Sequence, residues 1–226
     1  MCGKEASMYI LIPLCLCLAA VFLWQESKKN YVPAVLLKGA ASACFVALGL
    51  LLSSGTPVAK LITTGLLLDC VADVLLNLRY VFEKKGQLIF LVGILVFLAG
   101  HVFYLVAIMK GAPKVWLCVA IGVILTALLM MWIFRRVTAK KAFKIFGVVY
   151  IGAIMLLNTV AIGNLIASPS VFTALFSGGA LLFLVSDIVL ILNTFGKETK
   201  QCLRVTNISL YYVGQLLIAL SLAFLK

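Results

Sequence analysis

Residues 88–109 read LIFLVGILVFLAGHVFYLVAIM, a run with one histidine and no Asp, Glu, Lys or Arg. Roughly 20 apolar residues carry a helix across the hydrocarbon core of a bilayer. This run is too long for a strand and apolar on every side, so no face is left for water. The pattern recurs along the chain in both directions. Cutting at charge clusters and Pro/Gly breaks gives eight spans: Met8–Trp24, Ala34–Leu52, Leu61–Leu78, Leu88–Met109, Val115–Phe134, Ile145–Ala167, Val171–Phe195 and Ile208–Leu225. Composition agrees: of 226 residues, 65% are hydrophobic and 12% charged, whereas soluble domains are about half apolar and a quarter charged. The reading is an all-α polytopic membrane protein of eight transmembrane helices. Tight connections make residues 1–226 a single transmembrane helical domain. The first span is short, and the second carries Lys38 near one end, where its long stem is expected to snorkel to the interface.

The charges are lopsided, 19 Lys and Arg against 7 Asp and Glu, for a formal net charge of +12. Nucleic-acid binding would place such cations on a folded polar surface. Here they occupy short breaks between apolar runs, so a nucleic-acid partner is excluded. Odd-numbered connections carry fourteen: Lys28, Lys29 and nearby Lys38; Arg79, Lys84 and Lys85; Arg135, Arg136, Lys140, Lys141 and Lys144; Lys197, Lys200 and Arg204. The other side carries Lys4, Lys60, Lys110, Lys114 and Lys226. This bias puts the odd loops in the cytoplasm and both termini outside (N-out/C-out), in a bacterial cytoplasmic membrane or a eukaryotic endomembrane. Reading the first span as a cleaved signal peptide would invert the whole bias. The seven cysteines show no metal or redox spacing, and with one histidine and no HExxH there is no built-in metal site. No cofactor is expected.

The seven acids divide cleanly. Glu5, Glu26, Glu83 and Glu198 fall in tails and loops, whereas Asp69, Asp73 and Asp187 fall inside spans. An intramembrane aspartate costs about 2.5–3.5 kcal/mol on insertion scales, so it normally faces the bundle interior with a partner or a task. With 1.5 Å of rise per residue, Asp73 and Asp187 should lie roughly 9–15 Å below the cytoplasmic boundary. Asn207, Tyr211 and Gln215, with Tyr212 beside them, form a polar stripe on span eight at that depth. Asp69, Asp73 and Asn77 share a face of span three. Residues 66–78 (LLLDCVADVLLNL) align with residues 180–192 (ALLFLVSDIVLIL), placing Asp73 over Asp187. The same offset relates His101 to Gln215. This suggests a parallel 4+4 internal repeat, with halves of about 1–112 and 113–226, and such repeats place sites at their interface. Spans three, four, seven and eight are then expected to surround the two aspartates. His101, with Tyr104 one turn away, is read first as a hydrogen-bonding partner. Asn158 and Asn164 are read as structural.

In order along the chain, VADVLL with Asp73, HVFY with His101 and Tyr104, SDIVLILNTF with Ser186, Asp187 and Asn193, and SLYYVGQLL with Tyr211, Tyr212 and Gln215 resemble the YhhN family of integral membrane proteins, which includes lysoplasmalogenases. The likeness runs from about Leu61 to the C-terminus. It departs at Ala72-Asp73, where the family usually has Gly-Asp, and at Asp69, where a small residue or Ser is usual. The resemblance implies hydrolysis of the vinyl ether of a lysoplasmalogen, a lysophospholipid drawn from the surrounding membrane lipids, to a fatty aldehyde and a glycerophospho-base. A vinyl ether is cleaved by protonating its β-carbon, and water then adds to the oxocarbenium-like centre. Paired carboxyls do comparable work on glycosidic bonds. Asp73 and Asp187 are the catalytic candidates, with acid and base unassigned. Asp69, His101, Tyr104, Asn193, Tyr211, Tyr212 and Gln215 are the candidates for holding substrate and water. Arg79, Lys84, Lys85, Lys197 and Arg204 are candidates for attracting the phosphate.

The alternative reading is a proton-coupled carrier of small molecules or lipids that uses the same buried aspartates. An intramembrane aspartyl protease would need a G-x-G-D motif, which this chain lacks, and a purely structural protein would use the aspartates as helix glue.

Overall fold

The computed structural model describes residues 8–138 and 141–225. Among them the regular elements are all helical: α1 (Leu11–Ser27), α2 (Tyr31–Leu52), α3 (Pro57–Leu78), α4 (Gly86–Met109), α5 (Val115–Phe134), α6 (Lys141–Ala167), α7 (Val171–Phe195) and α8 (Gln201–Ser221). Seven of these, α2–α8, are long and apolar enough to cross a membrane; α1, with 17 residues, is shorter. Local chemistry sets several of the ends. Thr56 accepts the Ala59 N–H at 3.2 Å and Pro57 opens the first turn of α3, a position where a missing N–H costs nothing. Ser170 and Thr173 form a reciprocal capping box at the start of α7.

Exposure is arranged inside out relative to a soluble protein. Trp116 is 82% exposed and Ile166 76%, while Asp69 and Gln215 are fully buried. Apolar residues on the outside and polar ones within is the arrangement that a lipid solvent selects.

Two expectations from the sequence need correction here. The last helix begins at Gln201, not near Ile208. Hydropathy rejects QCLRVTN, yet Asn207 is buried and Arg204 is mostly covered, because both bond to neighbouring helices. Lys38 does not snorkel outward. It is 4% exposed and turns into the bundle, where Asp73 lies 2.9 Å from its ammonium.

α7 and α8 pack at glycine. A methyl added to Gly179 would lie 2.6 Å from the carbonyl oxygen of Gly214, and one on Gly214 would lie 2.9 Å from that of Gly179. Backbone meets backbone there, so nothing flexible can yield. Gly179→Ala is therefore expected to push the two helices apart and to destabilise by about 1–3 kcal/mol, read as a lowered unfolding temperature in detergent.

Candidate active site

Asp73, on the inner face of α3, is 1% exposed and saturated with donors. Lys38 Nζ, from α2, lies 2.9 Å from Oδ1. Oδ2 accepts from Ser42 Oγ at 2.5 Å and from Tyr211 OH, on α8, at 2.6 Å. Lys38 and Ser42 stand one turn apart on α2, so a single helix face delivers the ammonium and the hydroxyl together. An ammonium within contact distance and two hydroxyl donors define a site for a carboxylate anion. This is why Lys38 points inward: its charge has a partner inside the bundle. Tyr212 supports the arrangement from behind, donating to the Lys38 carbonyl at 3.2 Å and meeting Ser42 Oγ at 3.2 Å.

Asp187, on α7, is differently furnished. Tyr150 OH, from α6, donates to Oδ2 at 2.7 Å, and among the described residues no cation pairs with the group. Asp73 and Asp187 line one cavity, partly open, together with Tyr150 and Tyr211. Its remaining walls are chiefly apolar, including Leu76, Phe90, Ile94, Phe97, Leu190 and Ile191. Helices α3, α4, α7 and α8 surround the aspartates as the polar stripes suggest, and α2 and α6 join them.

The other candidates divide by place. Asp69 Oδ2 accepts from Tyr104 OH at 2.8 Å and from Gln215 Nε2 at 2.7 Å. These three form a buried cluster that links α3, α4 and α8 and is not part of the cavity lining. Gly100 makes room for the Asp69 carboxyl, since a methyl there would overlap Oδ1. His101 Nδ1 is 2.7 Å from the Phe97 carbonyl, so that nitrogen carries the hydrogen and Nε2 is left as an acceptor. Nε2 is buried with no hydrogen-bond partner, and the ring packs 4.3 Å from that of Phe183. Asn193 accepts the Lys200 N–H at 2.7 Å and lines a second, more polar cavity with Glu26, Arg79, Tyr80 and Arg204. Asn158 and Asn164 donate to the carbonyls of Ala180 and Ile108 on adjacent helices, at 3.2 and 3.0 Å.

A polar chain leads from Asp73 toward the second cavity. Lys38 Nζ also reaches Asn77 Oδ1 at 3.3 Å, and Asn77 Nδ2 donates to Glu26 Oε1 at 3.3 Å. Arg204 clamps Glu26 with two bonds of 2.8 Å. Arg204 meets Asn207 Oδ1 at 3.3 Å, and Asn207 exchanges bonds with Ser186. Glu26 is thus a partly buried member of the site and not a loop acid: it sits in the last turn of α1, where its carboxylate offsets Arg204.

Lys38, Ser42, Tyr150 and Glu26 did not emerge as site residues from sequence. Lys38 had a usable signal, being the cation of an otherwise uncharged span whose neighbouring span carries two acids. Tyr150 and Asn158 also form a polar stripe, two turns apart, on the α6 face that meets α7. Among the described residues, no three His, Cys, Asp or Glu side chains are grouped to hold a metal ion.

Comparison with curated proteins and with solved structures returns no match. The family model of the YhhN family matches residues 33–222, a stretch that includes both aspartates, Lys38 and Tyr150, and the protein belongs to that family.

Proposed function

We propose that this chain is a membrane-embedded hydrolase that cleaves the vinyl ether bond of lysoplasmalogens. The observation that carries the reading is the unequal pair of aspartates in one apolar cavity. Asp73 faces an ammonium and is furnished as an anion, while Asp187 has a phenol and no cation and is the carboxyl suited to hold a proton. Asp187 delivers that proton to the β-carbon of the alkenyl ether, leaving positive charge shared between the α-carbon and the ether oxygen. Asp73, fixed by Lys38, Ser42 and Tyr211, places negative charge beside this centre and takes a proton from the water that adds to the α-carbon. The hemiacetal then collapses. Its hydroxyl proton returns to Asp187, Asp73 gives its proton to the departing glycerol oxygen, and both carboxyls regain their starting states. Fixed donors and charges aimed at developing charge are the larger part of such catalysis. Walls such as Phe90, Ile94, Phe97 and Ile191 suit a single alkenyl chain.

The test uses purified protein with lysoplasmalogen and, separately, an ester lysophospholipid of equal chain length. Aldehyde from the first and no fatty acid from the second is the expected result. Fatty acid from the ester would make the protein a lysophospholipase. Silence on both would favour the carrier.

The N-out/C-out arrangement of eight spans and the parallel duplication belong to the same reading. The duplication is supported by how the aspartates are served: Asp73 on α3 is held from α2, and Asp187 on α7 from α6. For orientation, a cysteine introduced at Lys84 into a cysteine-free background should resist an impermeant thiol reagent in intact cells. One at Lys114 should be labelled. The reverse pattern would invert the topology and move the cavity mouth to the other leaflet.

A further inference from the structure

The cations around the two cavities are not equivalent. Lys38 is paired with Asp73, Arg204 with Glu26 and Lys200 with Glu198. Arg79 also lines both cavities, yet among the described residues no carboxylate pairs with it. Its guanidinium carbon lies 4.6 Å from the Tyr80 ring centroid and 4.4 Å from that of Phe90, so the side chain is fixed between two aromatic faces. One of its nitrogens donates to Tyr80 OH. Nε is buried without a partner. Glu26 lines the second cavity with Arg79 but is held by Arg204, so a planar guanidinium held still, with donor capacity to spare and no carboxylate within ion-pair distance, is built to receive an anion in fork geometry.

We infer that Arg79 binds the phosphate of a single-chain phospholipid whose chain lies in the apolar cavity; this rests on the hydrolase reading above. Arg79 follows Asp73 by six residues at the end of the same helix, about 9 Å along its axis. The seven bonds from the alkenyl β-carbon through the glycerol to phosphorus span a comparable length when extended, so phosphate at Arg79 leaves the alkenyl bond level with the aspartates. Lys84, Lys85 and Lys197 are exposed and line neither cavity. Their charge serves the membrane surface, and the fixed phosphate contact falls to Arg79.

The test measures binding, so that it stands even if turnover does not occur. Full-length protein is titrated with a saturated 1-alkyl lysophospholipid, which cannot be hydrolysed at an alkenyl bond, and with the matching 1-alkylglycerol, which lacks phosphate. The wild type should prefer the phospholipid. In Arg79→Gln that preference should shrink by about ten- to a hundredfold, and Arg79→Lys, which keeps a cation in place, should recover part of it. Equal weakening for both ligands would mean that Arg79 only supports the fold, and would overturn the assignment. Inorganic phosphate is titrated as a competitor, because a free-anion site would show the same arginine chemistry. Little displacement at millimolar phosphate is expected, and full displacement would overturn the lipid assignment. Should the wild type bind as described yet release no aldehyde from lysoplasmalogen, the hydrolase reading fails while the phosphate contact stands.

Discussion

Asp187→Asn is expected to lower turnover of lysoplasmalogen by at least about 10²–10⁴-fold, the usual contribution of one positioned acid or base. Asn retains the size and can still accept the Tyr150 hydroxyl, but it cannot give a proton to carbon. Asp73→Asn should lose at least as much. It removes the negative charge beside the oxocarbenium-like centre and also leaves the Lys38 ammonium buried without its counter-ion. The two variants should therefore differ in stability: Asp187→Asn should unfold close to the wild type, and Asp73→Asn well below it. Aldehyde release, with thermal unfolding in the same detergent, checks both. Full activity in Asp187→Asn would end the paired-carboxyl mechanism.

The second large effect is at Lys38. Replacing it with Met fills much of the same space but strands the Asp73 charge, and breaking a buried ion pair by removing one partner costs about 3–5 kcal/mol. The double variant Lys38→Met/Asp73→Asn removes both charges and should regain most of that loss while staying inactive. A thermodynamic cycle over the four proteins then gives the coupling directly. If the single and double variants lose stability additively, Lys38 and Asp73 are not paired in the membrane.

The fold was legible because a bilayer asks one simple thing of a sequence. Spans such as Val115–Phe134 and Val171–Phe195 are bounded by charge or proline, and their helices begin and end at those residues. The first turns of α8 escaped because hydropathy judges a residue by type and not by partner. Arg204 reads as a loop residue until Glu26 is placed beside it. The candidate site was legible to the same degree. Asp73 and Asp187 stood out since acids in apolar runs need interior partners, and the stripe at Tyr211 followed from helical spacing. What sequence withheld was the pairing across helices. Asp69 and Asp73 share a face of α3, yet one turn separates a carboxyl held by Tyr104 and Gln215 from one held by Lys38 in the cavity. The helices packed against that face decide the difference, and periodicity within α3 carries no record of them.

Protonation and hydration of an alkenyl ether in the cavity would fix which carbon–oxygen bond breaks. Lysoplasmalogen carrying ¹⁸O at the ether oxygen, with mass analysis of the glycerophospho product, reads this out. Protonation of the β-carbon, addition of water to the α-carbon and collapse of the hemiacetal leave the original ether oxygen on glycerol, so the glycerophospho-base should retain the label. An unlabelled glycerophospho-base, with the heavy oxygen leaving on the alkenyl fragment, would mean that water attacks the glycerol carbon, and would contradict the roles assigned to Asp187 and Asp73.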